Sequence, residues 1–272
     1  MSLLEAVTPP RPTLLSLWSG ARKPRFVGRT HILDFGTPLV AVRGMIDSAE
    51  EHIDLVEIMA PAVFPDQAFS QRMATYRSAG IATALGTDLF LILHARFGLP
   101  RLCEWAAGLG FEAVRIPGAA AIETRETRSD LIRKLSRNFL VLTEHRERGV
   151  ADPPSSEPRI EIIEDLSAGA HAVIIPKLVL HGDATDDGEP EGSMIRRLRQ
   201  DLPVERLIFD TESKAEQTRL IRCLGPDVNL TGVPPEEILA VETLRALLTS
   251  MWEPGRVVWP VPWGGGGRTG DP

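Results

Sequence analysis

The chain has 272 residues, 43% of them hydrophobic and 25% charged, with a formal net charge of −7 and a pI near 5.5. This acidic balance argues against a nucleic-acid or anionic-membrane surface as the main partner, and no apolar run approaches the ~18 residues of a membrane span. A chain this long buries a sizeable core without staples, and Cys103 and Cys223, far apart in predicted helices, read as idle thiols of a reducing compartment. The opening MSLLEAVTPPRPTLLSLW lacks the basic start and long apolar run of a signal peptide, so a cytoplasmic location is expected.

Short β-rich runs alternate with helical stretches along the chain. HILDF (31–35) precedes a helix over 41–52, and IDLVEI (53–58) one over 66–79. IATAL (81–85) precedes 89–109, EAVRI (112–116) precedes 123–137, and FLVLT (139–143) leads through a Pro/Ser-rich loop into 159–168. AVIIP (172–176) is followed by an acidic loop and a helix over 194–201. RLIFD (206–210) precedes 214–224, and VNLTG (228–232) precedes 235–249. The apolar runs are too continuous for strands with one wet face and suit parallel strands buried on both. Gly80, Gly110 and Gly169 stand where a left-handed residue would stop a helix before the next strand. Eight such units predict a (β/α)8 TIM barrel over 23–250, with an N-terminal extension (1–22) and a C-terminal segment (251–272) ending in a flexible glycine-rich tail. An open doubly wound sheet is the alternative. The long loops after the fifth and sixth strands would lie on the catalytic face of a barrel, as lids or simply mobile segments.

Three stretches carry a family resemblance: KPRFVGRTHILDFG; the pair GLGFEAVRI and FLVLTEH; and LIFDTESKAEQTRLIRCLGPDVNLTGVPPEEILAVETLRALL. They resemble the phosphosulfolactate synthase family over roughly 23–248. The resemblance implies a (β/α)8 barrel that adds sulfite to phosphoenolpyruvate with Mg2+. Such an addition leaves a carboxylate-stabilised carbanion, which cations stabilise and a positioned acid protonates. The resemblance implies Asp34, Glu144 and Asp210 as a carboxylate set for the metal, with Lys214, Asn229 and Gly232 toward an anionic group. The bland readings are that Asp34 and Glu144 pair with neighbouring cations and that Lys214 is a surface residue.

Departures from the family pattern are as informative. Phe35 stands where the family carries lysine, Glu57 likewise, and Arg115 where it carries glutamate. Residues on alternate strands share interior layers, so Glu57 and Arg115 are expected to form an ion pair of reversed direction. His145, Lys177 and His181 are new candidates for acid–base or anion-binding work, and His31, His52, His94 and His171 lack ligand spacing and read as structural. The expected catalytic residues are Glu144, His145, Lys177 and Lys214, and the expected substrate-binding residues Arg115, Asn229, Gly232 and Glu57. The function expected is a divergent, Mg-assisted carbon–sulfur bond-forming addition to a small anionic, phosphoenolpyruvate-like substrate. The alternatives are the family reaction itself and a non-catalytic binding or stress-protective barrel. A homo-oligomer is expected, as barrels often assemble symmetrically. The segment from Trp252 to Trp263 is expected to cover the barrel or contact a second subunit.

Overall fold

The computed structural model describes residues 23–63, 66–118, 125–145, 158–176 and 202–251. Eight parallel strands follow one another in chain order: β1 (His31–Asp34), β2 (Leu55–Ile58), β3 (Ala82–Leu85), β4 (Ala113–Ile116), β5 (Leu140–Glu144), β6 (Ala172–Ile175), β7 (Leu207–Asp210) and β8 (Asn229–Thr231). The ends of this sheet meet. Thr30 bridges Leu230, and the Leu230 amide donates to the Arg29 carbonyl at 2.9 Å, closing the barrel. Helices α1 (Leu39–Ala49), α2 (Asp66–Ser78), α3 (Thr87–Leu109), α4 (Arg125–Leu135), α5 (Pro158–Ala168), α6 (Lys214–Leu224) and α7 (Ile238–Met251) surround it. The chain is a (β/α)8 barrel, as expected; the helix expected over 194–201 lies outside the described residues. No described helix is long and apolar enough to cross a membrane.

Strand alternation sorts the side chains into two cores. Ile32, Val56, Ile58, Val114, Ile116, Val173, Phe209 and Leu230 face outward and pack under the helices. Leu55, Ala84, Ala113, Leu142, Ala172, Ile174 and Ile208 face inward and fill the barrel axis. Small alanines on neighbouring strands let the interior close, leaving its C-terminal end to be filled by polar groups. Gly110 ends α3 at φ 80, the left-handed turn the sequence signals. That helix also bends where no bend was expected: Gly98 (φ 74) breaks its dihedrals, and Pro100 has no amide to continue the ladder.

The N-terminal face of the barrel is tied by charge. Arg25 pairs with Asp54 at 2.6 Å and with Glu242 of α7 at 3.3 Å. Arg245 pairs with Glu242 at 3.3 Å and donates to the carbonyls of Pro226 and Val228. Burial, reinforced by Arg29, holds the His31 imidazole well below its ordinary pKa, and burial with Arg29 and Arg206 lowers that of His171. The unfolded chain therefore binds protons that the folded one refuses. Their contribution is complete above the ordinary histidine pKa near 6.5 and is lost as pH falls below it. Thermal unfolding from pH 8 to pH 5 should show stability dropping by up to about 1.4 kcal/mol per pH unit from the His31 ring, with His31→Gln flattening the slope.

Candidate active site

The inward-facing residues at the C-terminal strand ends converge on one guanidinium. Arg115, at the end of β4, donates from Nη1 to Glu57 Oε2 at 2.9 Å. Its Nη2 lies 3.5 Å from Glu144 Oε1 of β5 and 3.8 Å from Asp210 Oδ2 of β7. The expected ion pair between Glu57 and Arg115 is thus present, and two further carboxylates share its cation. Glu57 and Arg115 are buried, whereas the side chains of Glu144 and Asp210 are 26% and 27% exposed and open toward solvent.

Burial works against the Arg115 charge, but Glu57, then Glu144 and Asp210, outweigh it and raise its pKa further. Asp210 is pushed up to about 6 by burial and, against the pull of Arg115, by the Glu144 and Glu57 carboxylates. Three carboxylates on one guanidinium leave an excess of negative charge. Glu57 Oε1 has no hydrogen-bond partner among the described residues.

Two glycines make room for this cluster. A Cβ on Gly86 would stand 2.7 Å from the Ile58 carbonyl oxygen and 3.3 Å from Glu57 Oε1. One on Gly232 (φ +76) would stand 2.4 Å from the Thr211 carbonyl oxygen and 2.9 Å from Asp210 Oδ1. Gly232→Ala is therefore expected to cost about 1–3 kcal/mol through backbone strain. By displacing Asp210 it should also lower turnover about 100-fold. Chemical denaturation and steady-state kinetics check both.

Other expected site residues lie elsewhere. The Asp34 carboxylate has the parity of Ile32 and points to the helix layer, not to Glu144 and Asp210. It accepts from the amides of Gly36 and Thr37, both at 2.7 Å, and from Tyr76 Oη at 3.0 Å, and it pairs with Arg72 at 3.2 Å. It is the pillar of the β1–α1 turn, and the three-carboxylate metal set does not assemble. No cluster of three or more His, Cys, Asp or Glu suited to a metal occurs among the described residues. His145 also turns outward, with Nδ1 3.7 Å from Glu161 Oε2 of α5.

Asn229 opens β8 at the opposite end of the barrel, where its side chain accepts from the Arg29 amide at 3.0 Å and donates to the Leu207 carbonyl at 2.9 Å. This is structural bonding, away from the mouth. Lys214 is exposed at the start of α6, and Phe35 is 57% exposed after β1. Lys177, His181 and the segment from Trp252 to Trp263 lie outside the described residues.

Two arginines not singled out in the sequence brace the mouth. Arg72 of α2 joins Asp34 to the Ala62 carbonyl. Arg128 of α4 pairs with Asp165 at 2.8 Å and donates to the carbonyls of Pro117 and Glu144. It thereby ties the ends of β4 and β5, which carry Arg115 and Glu144. Both arginines stand in helices, where sequence alone suggests surface charge.

The sequence model of the (2R)-phospho-3-sulfolactate synthase (ComA) family matches residues 19–250. The chain belongs to the phosphosulfolactate synthase family. It is 30% identical over 262 residues to the phosphosulfolactate synthase of Methanothermobacter thermautotrophicus, covering 90% of this chain and 95% of that protein. With the phosphosulfolactate synthase of Bacillus subtilis it shares 28% over 234 residues, covering 84% and 93%. Among solved structures, 3-hexulose-6-phosphate synthase from Salmonella typhimurium aligns with a TM-score of 0.51 at 12% identity, over 80% of this chain and 99% of that one. The YdjI aldolase from Escherichia coli K12 aligns with a TM-score of 0.53 at 12% identity, over 82% and 90%. At such identities the likeness is one of barrel fold alone. Phosphosulfolactate synthases thus supply the family.

Proposed function

We propose that the C-terminal mouth of this barrel catalyses a carbon–sulfur bond-forming addition to a phosphoenolpyruvate-like acceptor, as a diverged phosphosulfolactate synthase. The observation that carries the reading is the carboxylate surplus around Arg115, combined with family membership. In the addition, the sulfur lone pair of sulfite forms a bond to the terminal methylene. The π electrons move onto the neighbouring carbon and its carboxylate, and a proton then completes that carbon.

Arg115, held on its far side by Glu57, would meet the carboxylate on which charge develops, as an oriented cation with no reorganisation to make. The partly exposed Glu144 and Asp210 fit Mg2+, which commonly takes one or two protein carboxylates and otherwise water and substrate oxygens. Bound there, Mg2+ would supply positive charge to the enolate and to substrate oxygens. Lys177, which follows β6 in the sequence, and Lys214, at the start of α6, are the cations we assign to the substrate's phosphate or to proton delivery.

The test is phosphorus NMR of the full chain with phosphoenolpyruvate, sulfite and Mg2+. A new phosphomonoester resonance requiring all components is expected, with the rate reduced about 100-fold in Glu144→Gln. An unchanged spectrum would overturn this choice of acceptor and nucleophile. Isothermal titration of Mg2+ into the same two proteins separates loss of the cation from loss of the chemistry.

A further inference from the structure

The barrel has a second opening. At the strand starts, opposite Arg115, a cavity of about 510 Å³ is floored by the inward-facing Leu55, Ala82 and Leu142, within the size range of small-molecule sites. Its wall carries Lys23, Arg29, His31 and His171, and the largely exposed ring of Phe26 stands at its edge. The catalytic chemistry of the other face uses none of these groups.

The charges here are unevenly matched. Arg25 is answered by Asp54 and Glu242. Asp54 is further engaged by the Thr30 amide at 2.8 Å. Arg29, by contrast, bonds only neutral acceptors: the Glu205 carbonyl at 2.7 Å and the His171 ring at 3.3 Å. Among the described residues its Nε has no hydrogen-bond partner, and neither does the buried Nζ of Lys23. Burial lowers the pKa of both, and the more distant charge of Asp54 only partly offsets it, since neither cation has a carboxylate in hydrogen-bond contact among the described residues. With Arg25 paired to two carboxylates and the His31 and His171 pKa values lowered, the uncompensated positive charge of the wall comes from Lys23 and Arg29.

We propose that this N-terminal cavity binds a small organic monocarboxylate, its acid group received by Lys23 and Arg29 and its apolar body resting on Leu55, Ala82 and Leu142. The unpartnered donors supply the anion's hydrogen bonds, and the apolar floor rejects a bare inorganic ion. The negative charge of Asp54 on the same wall favours a monoanion over a dianion.

Benzoate is the probe, with neutral benzamide and inorganic phosphate as controls, followed by saturation-transfer NMR on the full chain. Saturable binding of benzoate alone is expected, weakened about 10-fold or more in Lys23→Gln. Because Lys23 Nζ has no hydrogen-bond partner to lose among the described residues, that variant should keep the parent's melting temperature. Phosphoenolpyruvate should not displace the probe. Absence of benzoate binding, equal binding of benzamide, an unchanged affinity in Lys23→Gln, or displacement by phosphoenolpyruvate would each overturn the proposal.

Discussion

Replacing Arg115 with methionine is expected to destabilise the protein by about 3–5 kcal/mol, because the buried Glu57 and its two carboxylate neighbours would lose the cation they share. Urea unfolding measures this directly, since a lowered midpoint at constant slope reports stability alone. Arg115→Glu should do worse, placing a fourth carboxylate among three. Combining it with Glu57→Lys restores one cation in the layer, with the direction of the pair reversed, and should recover most of the loss. A double-mutant cycle then gives a coupling energy of opposite sign to the single losses. If Arg115→Met cost under about 1 kcal/mol, the carboxylate surplus would be relieved by protons or a cation rather than by the guanidinium.

Arg245→Met should cost a comparable ~3–5 kcal/mol, for a different reason. Arg245 is wholly buried and holds Glu242 and the carbonyls of Pro226, Val228 and Arg29. Methionine fills the volume but leaves those acceptors without a donor, and each unsatisfied group adds its own desolvation cost. The distinguishing readout is kinetic: folded Arg245→Met protein should turn over like the parent, whereas folded Arg115→Met protein should not.

The eight strands were legible because each is buried on both faces and so reads as a continuous apolar run. That same continuity hides which residues face the axis. Asp34 and His145 end or follow strands as Glu144 and Asp210 do, yet they point to the helix layer, and only the register of the closed sheet decides it. Glu57 and Arg115 were legible as a pair because their charges are reversed together, a signal independent of strand parity. Asn229 misled through the family motif, which does not say which end of the barrel a residue occupies, although its place at the start of its strand does. Arg72 and Arg128 are not legible because a helical arginine ordinarily faces water, and their acceptors include backbone carbonyls that a sequence does not display. The bend in α3 is carried by Gly98 and Pro100, whose signal a continuous run of helix-compatible residues on either side obscures.

The ion pair between Arg25 and Glu242 joins positions 217 residues apart. Until β8 has been synthesised, β1 lacks its neighbour on one side, and until α7 follows, Arg25 lacks the Glu242 carboxylate. Closure of the sheet is therefore among the last events open to the nascent chain, and it carries a large loop-closure entropy. A ribosome-bound intermediate ending before residue 229 exposes the unpaired backbone edges of β1 and of β7, the kind of surface on which chains pair with one another. The rate at which β8 emerges sets how long that surface stays open, so slowing synthesis just before residue 229 should lower the yield of folded protein in the cell.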